Sequence, residues 1–286
     1  MKSLLENATK ADVFTDPFPH IVIKDALDDS LCTRLIEEIP STDTLKVGRD
    51  SRAGYERFNY SASLVNNNPE ISELWRQFIH LHSSEVFMHQ ALELMGEHIL
   101  NLYPDFEKRF KPLQEFTSGV RKIDHFPEVD MLLDAQIAMN SSLNTPLKRI
   151  KRPHIDRPQV LFAGLYYMRH PDDNSIGGDL EIYRFKGNKP AGFDPNDKQH
   201  VNDEYVELVK TIKYDRNVLV LFLNSLNSLH GVTCRSSTPV PRYFVNLVGE
   251  LPQRMFNYQK YQVPTQAHKK HWINVAVSRI AKRLSV

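Results

Sequence analysis

The chain has 286 residues, with 36 Lys and Arg against 35 Asp and Glu, which gives a formal net charge of +1. Its 41% hydrophobic and 25% charged residues are typical of a globular protein with enough chain for one large domain, and near neutrality gives no electrostatic argument for nucleic-acid binding. The two cysteines exclude a disulfide framework, and the 11 glycines, which form no G-x-G and no Gly-Lys pair, exclude the dinucleotide fingerprint and the P-loop.

Neither the first residues nor the apolar runs indicate a membrane or export signal. The opening stretch lacks the apolar core of a signal peptide. The longest apolar run, Val218 to Leu223, is far shorter than the ~20 residues that span a bilayer. We therefore expect a cytoplasmic protein without a transmembrane segment.

Residues 1–129 predict a mostly helical region that contains one short strand. Apolar residues recur at intervals of three to four, the helical period, in three stretches of this region. The predicted elements are a strand near 18–24 and helices from Leu31 to Ile39, after Pro69, and from Val86 to Leu100. Residues 41–63 are polar and without a period, so we expect a loop there.

From about residue 130 to 250 the pattern changes to short runs rich in β-branched and aromatic residues. Turn-forming residues such as Asp, Asn, Gly and Pro separate these runs. The predicted strands are Ala135 to Met139, Val160 to Met168, Leu180 to Phe185, Val206 to Ile212, Val218 to Leu223 and Tyr243 to Val248. Short strands without intervening helices favour an antiparallel sandwich or barrel over βαβ units.

The segment 251–286 predicts a C-terminal amphipathic helical extension. From His271 to Val286, apolar residues fall on one face and basic residues elsewhere, a pattern that suits a helix packed on the domain edge. Binding to a membrane surface is the alternative, and the helix could also be an interface. No linker or repeat divides the chain, so we expect residues 1–286 to form a single domain.

The informative constellation is His154-Ile155-Asp156 followed by His230. On an extended segment, residues i and i+2 point to the same side, so His154 and Asp156 can face one metal ion. A second imidazole from His230 completes a facial set of two histidines and one carboxylate, which is the arrangement of non-heme Fe(II) oxygenases. The offset of 76 residues between the two histidines accommodates four strands, and four are predicted.

An H-x-D motif alone is a weak signal, because His170-Pro171-Asp172 fits it equally well. That copy sits in a turn-forming segment and leaves three predicted strands before His230, so we treat it as a decoy. His154 taken alone could equally be a solvated loop histidine.

The context around the first motif is more specific, and it consists of four further segments in a fixed order. They are LFAGLYYM at 161–168, GGDLEIY at 177–183, NSLNSLHGV at 224–232 and PRYFVN at 241–246. This ordered set resembles the 2-oxoglutarate/Fe(II)-dependent dioxygenases, in particular the prolyl-4-hydroxylase-like branch, and residues 17–27 resemble its entry strand. The resemblance implies an α+β, mainly β fold. It consists of a double-stranded β-helix (jelly-roll, cupin-like) catalytic core over 130–250, flanked by N-terminal helices and a C-terminal helix.

The resemblance also implies roles for individual residues. His154, Asp156 and His230 would be the catalytic iron ligands, with Fe(II) as cofactor, 2-oxoglutarate as co-substrate and O2 as oxidant. Arg242 would hold the distal carboxylate of 2-oxoglutarate, which suits a planar guanidinium that stays charged when buried. Arg235 is a rival, but it falls in the turn before the last strand, so we prefer Arg242.

Two adjacent tyrosines, Tyr166 and Tyr167, lie on the strand after the first ligands. Adjacent strand residues face opposite sides, so one of the two should face the interior and donate its hydroxyl to the co-substrate. Which of them does so stays open. Gln136, Asn140 and Arg57 are weaker candidates for substrate binding.

The resulting hypothesis is a hydroxylase that forms succinate and CO2 and acts on a small molecule. Asp156 favours hydroxylation over halogenation, since halogenases of this superfamily carry a small residue at that position. A peptidyl (prolyl-type) hydroxylase is the alternative with the same mechanism. A non-catalytic binding module on the same barrel and a cupin-like metal enzyme independent of 2-oxoglutarate are alternatives of other classes.

Overall fold

In this computed structural model, the protein is built around two facing β-sheets. It describes residues 1–50, 56–142, 151–187, 189–197 and 199–263, so the helix predicted from His271 to Val286 lies outside the described residues. The strands are β1 Val13–Phe14, β2 His20–Lys24, β3 Arg49–Asp50, β4 Arg57–Tyr60, β5 Ser118–Val120, β6 Met131–Asn140, β7 Lys151–His154, β8 Val160–Met168, β9 Leu180–Phe185, β10 Val206–Ile212, β11 Arg216–Leu223, β12 His230–Val232 and β13 Arg242–Glu250.

The strands divide between a large sheet and a small one. The large sheet has the order β1-β2-β11-β8-β13-β6-β4-β3, with β5 also paired to β6, and the small sheet has the order β10-β9-β12-β7. All these pairs are antiparallel except β5 with β6. From β6 onwards the chain passes repeatedly from one sheet to the other, which leaves the inner faces of both sheets opposite each other.

Helices cover the outer face of the large sheet. The helices are α1 Asp29–Glu37, α2 Thr42–Leu45, α3 Ala62–Asn66, α4 Glu73–His82, α5 Glu85–Leu102 and α6 Phe106–Arg109. Their apolar sides pack on outward-facing sheet residues in one large core, in which Trp75 and Phe78 of α4 and Tyr166 of β8 are fully buried. A second core lies between the two sheets and contains Tyr167 and Phe222. No helix within the described residues is long and apolar enough to cross a membrane.

Several predicted elements are confirmed. Strands Val160–Met168, Leu180–Phe185 and Val206–Ile212 have the predicted bounds. Four strands, β8 to β11, separate His154 from His230 as the spacing predicts. The predicted mainly β character with additional helices is also found.

The prediction of a loop over residues 41–63 is wrong. The described part of that segment contains α2, β3 and β4, and α3 begins at Ala62. Strand β4 pairs with β6, so that Arg57 lies opposite Asn140. Its conformation therefore depends on a partner some 80 residues away in the sequence, and a search for local hydrophobic periodicity does not find such a strand.

Candidate metal centre and adjoining cavity

The predicted ligands converge where two strands of the small sheet meet. His154 is the last residue of β7, and His230, the first of β12, lies directly opposite it in the strand pairing. Their ring centroids are 4.1 Å apart. Asp156 follows two residues after His154, and its Oδ2 lies 3.8 Å from Nε2 of His230.

Both imidazoles are held in one orientation by the backbone. Nδ1 of His154 lies 2.9 Å from the carbonyl oxygen of Arg152, and Nδ1 of His230 lies 2.9 Å from that of Ser228. Because a carbonyl can only accept, each Nδ1 carries the proton and each Nε2 presents a lone pair. Nε2 of His154 is buried without a hydrogen-bond partner.

One ligand atom from each of the three residues lies within 4.8 Å of the others. Among the described residues, this is the one group of three or more His, Cys, Asp and Glu that could hold a metal ion. A fixed, unpartnered imidazole nitrogen beside a second imidazole and a carboxylate fits a divalent transition metal with open coordination positions.

The electrostatic surroundings keep both histidines neutral. Burial lowers the pKa of His154 well below its usual range, and the nearby charge of Lys151 lowers it further. Burial also lowers the pKa of His230, which the Asp156 carboxylate partly offsets. Since a metal binds the neutral imidazole, the two rings are ready to act as ligands at neutral pH.

A residue to which we assigned no role, Asn224, fixes the segment that bears Asp156. Its side chain is fully buried, and Oδ1 accepts from the backbone N–H of Asp156 at 3.3 Å. Its Nδ2 donates to the carbonyls of Arg157 and Val160 at 2.9 and 3.0 Å. The hydroxyl of Ser228 also donates to Asn224 Oδ1, at 3.1 Å. Asn224 therefore connects the Asp156 segment to the loop that orients His230.

The centre opens into a cavity of about 590 Å³ between the sheets. Its walls include inward-facing residues of β4, β6, β8, β11 and β13 as well as the three candidate ligands. The ring of Phe222 packs 4.7 Å from that of His230 and so forms an apolar wall beside the centre. A cavity of this size suits a small molecule.

Arg242 lines one end of this cavity. It is 3% exposed, and its Nε donates to the carbonyl of Gly178 at 3.1 Å and its Nη1 to Oδ1 of Asn140 at 3.3 Å. Gly178 has a φ of +76°, which brings its carbonyl to this position with a backbone that favours glycine. Nη2 of Arg242 is buried without a partner. A buried, unpartnered guanidinium nitrogen facing a cavity is suited to a carboxylate.

The structure separates the two tyrosines. Tyr167 packs between the sheets, with its ring 5.0 Å from the Arg242 guanidinium and its hydroxyl buried without a partner. Tyr166 faces the helical side, where its hydroxyl donates to Oδ1 of Asn217 at 3.0 Å. Tyr167 is therefore the tyrosine that contacts Arg242, and neither tyrosine is among the residues that line the cavity.

The weaker candidates all line the cavity. Asn140 contacts Arg242, and its Nδ2 is buried without a partner. Gln136 accepts from Asn246 at 3.0 Å and donates to the buried Asp134 at 2.6 Å. The Arg57 guanidinium lies over the Phe244 ring at 5.3 Å.

The alternative histidine, His170, and the alternative arginine, Arg235, both lie away from the three candidate ligands. His170 is in an exposed turn and lies 3.6 Å from Asp172, where it does not reach the other candidate ligands. Arg235 is 1% exposed and paired with the buried Asp173 at 2.8 Å, so it is a structural ion pair.

No protein-family model matches the chain, and no curated protein does. Similar solved structures include a Pseudomonas putida prolyl-4-hydroxylase, 12% identical, with a TM-score of 0.46 over 86% of this chain and 98% of that one. The non-heme alpha-ketoglutarate-dependent carbocyclase SnoK from nogalamycin biosynthesis is 12% identical, with a TM-score of 0.47 over 86% of this chain and 85% of that one. A putative oxygenase from Shewanella oneidensis is 11% identical, with a TM-score of 0.45 over 93% and 90%.

Proposed function

We propose that the chain is an Fe(II)- and 2-oxoglutarate-dependent dioxygenase that hydroxylates a small molecule. One observation carries this proposal: two fixed imidazoles and a carboxylate share a cavity with a buried arginine that has an unpartnered Nη2. The first group fits Fe(II), and the second fits the distal carboxylate of a dicarboxylate co-substrate.

The alternation of strands between the sheets supports a double-stranded β-helix as the core. Strands β6, β8, β11 and β13 belong to the large sheet, while β7, β9, β10 and β12 belong to the small one. In such a core, ligands from β7 and β12 lie between two facing sheets, which shields the metal from bulk solvent. We propose residues 130–250 as this catalytic core and 1–129 as the region that covers its outer face.

The candidate ligands would be His154, Asp156 and His230, which would leave coordination positions open to further ligands. With Fe(II) and 2-oxoglutarate bound, the centre would couple O2-dependent oxidative decarboxylation, which yields succinate and CO2, to hydroxylation of the prime substrate.

The remaining steps depend on the chain's own residues. Arg242 pairs with the distal carboxylate of 2-oxoglutarate, and the Tyr167 hydroxyl donates a hydrogen bond to the same molecule. The backbone carbonyls at Arg152 and Ser228 keep the Nδ1 protons in place, so that both Nε2 lone pairs would be available to a bound metal. Phe222, packed on His230, would exclude water from that side of the centre.

The direct test is 2-oxoglutarate turnover by Fe(II)-loaded protein, measured as succinate, with a metabolite and peptide library screened for products heavier by one oxygen atom. We expect succinate release that requires Fe(II), His154 and Arg242, and an oxygenated small molecule. An oxygenated peptide would identify the peptidyl hydroxylase instead. Succinate release that persists in His154→Ala and Arg242→Ala would contradict the proposal, and a protein that binds ligands without turnover would be a binding module.

A further inference from the structure

The cavity is basic, and its basic side chains are not all needed for 2-oxoglutarate. Six Lys and Arg side chains line it, against two acidic ones, Asp156 and Glu250. Asp156 belongs to the metal group, and Arg242 accounts for one carboxylate of the co-substrate. We propose that the end of the cavity at Glu250 binds an anionic group of the prime substrate, a carboxylate or a phosphate, through Arg157 with Arg121 and Lys122 beside it. This inference rests on the proposed function and names its substrate class.

The strand register places this second group on the far side of the metal from Arg242. Phe222, which contacts His230, pairs with Ala163, and Ala163 pairs with Val248 of β13. Glu250 is two residues from Val248 along the strand, about 7 Å, whereas Arg242 is six residues away in the opposite direction, about 20 Å at ~3.3 Å per residue. A substrate anchored at Glu250 therefore does not compete with a co-substrate anchored at Arg242.

At the Glu250 end, the cavity lining carries more positive than negative side chains. Oε2 of Glu250 lies 2.7 Å from Nη2 of Arg157 and 3.5 Å from Nη1 of Arg121. Arg121 also pairs with the buried Asp134 at 2.7 Å. Lys122 is exposed and makes no ion pair with any residue that the structure describes. Of the residues that line this end of the cavity, three are cations and one, Glu250, is a carboxylate. The nearby carboxylates of Asp134 and Asp124 lie outside the lining, where they bind Arg121 and the backbone N–H of Val120.

Arg157 is the member best placed to bind a ligand. Its side chain is 53% exposed, and among the described residues its one ion pair is with Glu250. A guanidinium has five N–H donors in a fork that matches carboxylate and phosphate oxygens, so donors remain for a second anion. Arg121, by contrast, is 22% exposed and held between two carboxylates, so it adds charge and positions Glu250.

The backbone of Arg157 is also fixed relative to the candidate metal ligands. Arg157 follows Asp156 directly, and the buried Asn224 binds the backbone of both residues. The Arg157 backbone is therefore fixed beside Asp156, and a substrate anion that pairs with its half-exposed side chain is held within that side chain's reach of the metal site, which limits the carbons that can be oxidised.

The test uses full-length protein loaded with Mn(II) and saturated with 2-oxoglutarate, so that Arg242 is already occupied. The probes are matched pairs: L-amino acid N-acetyl derivatives and their primary carboxamides, and sugar phosphates and their free sugars. Binding is measured as a rise in melting temperature and then by titration calorimetry at two salt concentrations. We expect anionic members to bind and their neutral partners not to bind, with an affinity that falls as salt is raised.

Three variants test which residues are responsible. Arg157→Met should weaken binding of the anionic probes at least tenfold. Glu250→Gln should strengthen it several-fold, because the carboxylate that competes for Arg157 is removed. Arg34→Met, which changes an exposed arginine of α1, is the control and should change neither anion binding nor uncoupled succinate release.

Equal binding of neutral partners, the absence of any charge-dependent binding across the panel, or unchanged anion affinity in both Arg157→Met and Glu250→Gln would overturn the inference. The proposed function fails separately, if the wild-type protein with Fe(II) releases no succinate from 2-oxoglutarate. Succinate release together with charge-independent binding would leave the function in place and remove only the anion site.

Discussion

The two faces of strand β8 differ in whether their buried polar groups are hydrogen-bonded, and the adjacent residues Tyr166 and Tyr167 show the difference. On the outer face, Tyr166 packs 5.9 Å from Phe78 of α4, and its hydroxyl is bonded to Asn217. On the inner face, the hydroxyl of the equally buried Tyr167 has no partner. On the outer face the tyrosine hydroxyl has a protein partner, whereas on the inner face the hydroxyl has none and could bind a ligand.

This difference extends beyond the tyrosines. The buried side-chain atoms without partners include Nε2 of His154, Nη2 of Arg242 and Nδ2 of Asn140, which all belong to cavity residues. Leaving such a group unpaired costs about 1–3 kcal/mol each. A cavity that keeps several of them is less stable than an apolar core would be, and ligands that pair with them would recover that stability. The following predictions separate a face that stabilises the fold from a face that binds ligands.

The largest contrast is between a core residue and a ligand residue. Trp75→Ala removes a fully buried ring from the outer core, and we expect a loss of about 3–5 kcal/mol in the free energy of unfolding, measured by urea denaturation. His154→Ala removes an imidazole whose Nε2 has no partner and whose Nδ1 bonds to the Arg152 carbonyl, so the metal-free protein should lose at most about 2 kcal/mol, less than Trp75→Ala, while Mn(II) binding is lost. Metal binding by His154→Ala would contradict the assignment of the ligand.

A buried histidine of the helical face should make the protein sensitive to acid. Burial lowers the pKa of His82 to about 4, and its Nε2 accepts from the backbone N–H of Leu4 at 3.0 Å. The unfolded chain takes up this proton near pH 6.5, so the stability that neutral His82 supports is complete above that pH, falls as the pH drops, and is lost at about pH 4.

The expected loss from this histidine is about 3 kcal/mol between pH 7 and pH 4. It is measured as the difference in unfolding free energy between wild type and His82→Gln at each pH, which should shrink as the pH falls. A difference that stays constant with pH for His82→Gln would show that this histidine is not the buried neutral group.

Arg242→Gln tests the proposed co-substrate site, at the end of the cavity opposite Glu250. The variant keeps a polar side chain but loses the charge and the forked donors, so we expect 2-oxoglutarate affinity to fall about 100-fold. Metal affinity should change less than threefold, as measured by Mn(II) titration. Loss of metal binding would mean that Arg242 acts on the fold of the centre and not on the co-substrate.

The smallest and cleanest contrast is the pair of tyrosine-to-phenylalanine variants. Tyr166→Phe breaks the hydrogen bond to Asn217 and should cost about 1 kcal/mol of stability without changing 2-oxoglutarate affinity. Tyr167→Phe removes an unpartnered hydroxyl, so the ligand-free protein should be at least as stable as wild type, while 2-oxoglutarate affinity falls about tenfold. A loss of 2-oxoglutarate affinity in Tyr166→Phe, with unchanged affinity in Tyr167→Phe, would contradict the assignment of Tyr167 to the co-substrate.

Local spacing was enough to predict that the candidate ligands converge. His154 and Asp156 are two residues apart, and the four strands before His230 follow from their hydrophobic runs. That these residues bind a metal remains a prediction. The role of Arg242 came from the resemblance, and it remains a prediction that the buried position of the residue supports.

The remaining parts could not be predicted because they depend on tertiary pairing. Arg121 and Glu250 meet although 129 residues separate them, through the pairing of β5 with β6 and of β6 with β13. Which of Tyr166 and Tyr167 faces inward depends on which side of β8 the helices cover, and alternation alone does not decide that. Asn224 lies in the segment NSLNSLHGV at 224–232, but its hydrogen bond to the Asp156 backbone forms only in the folded chain.

The most direct test of the central claim is a calorimetric titration of 2-oxoglutarate into the protein with and without Mn(II). If His154, Asp156 and His230 hold the metal and Arg242 holds the distal carboxylate, 2-oxoglutarate should bind tightly only to the metal-loaded wild type, and weakly or not at all to metal-loaded Arg242→Gln. Equal binding with and without metal, or wild-type affinity in Arg242→Gln, would contradict the claim that one cavity joins a metal centre to a dicarboxylate site.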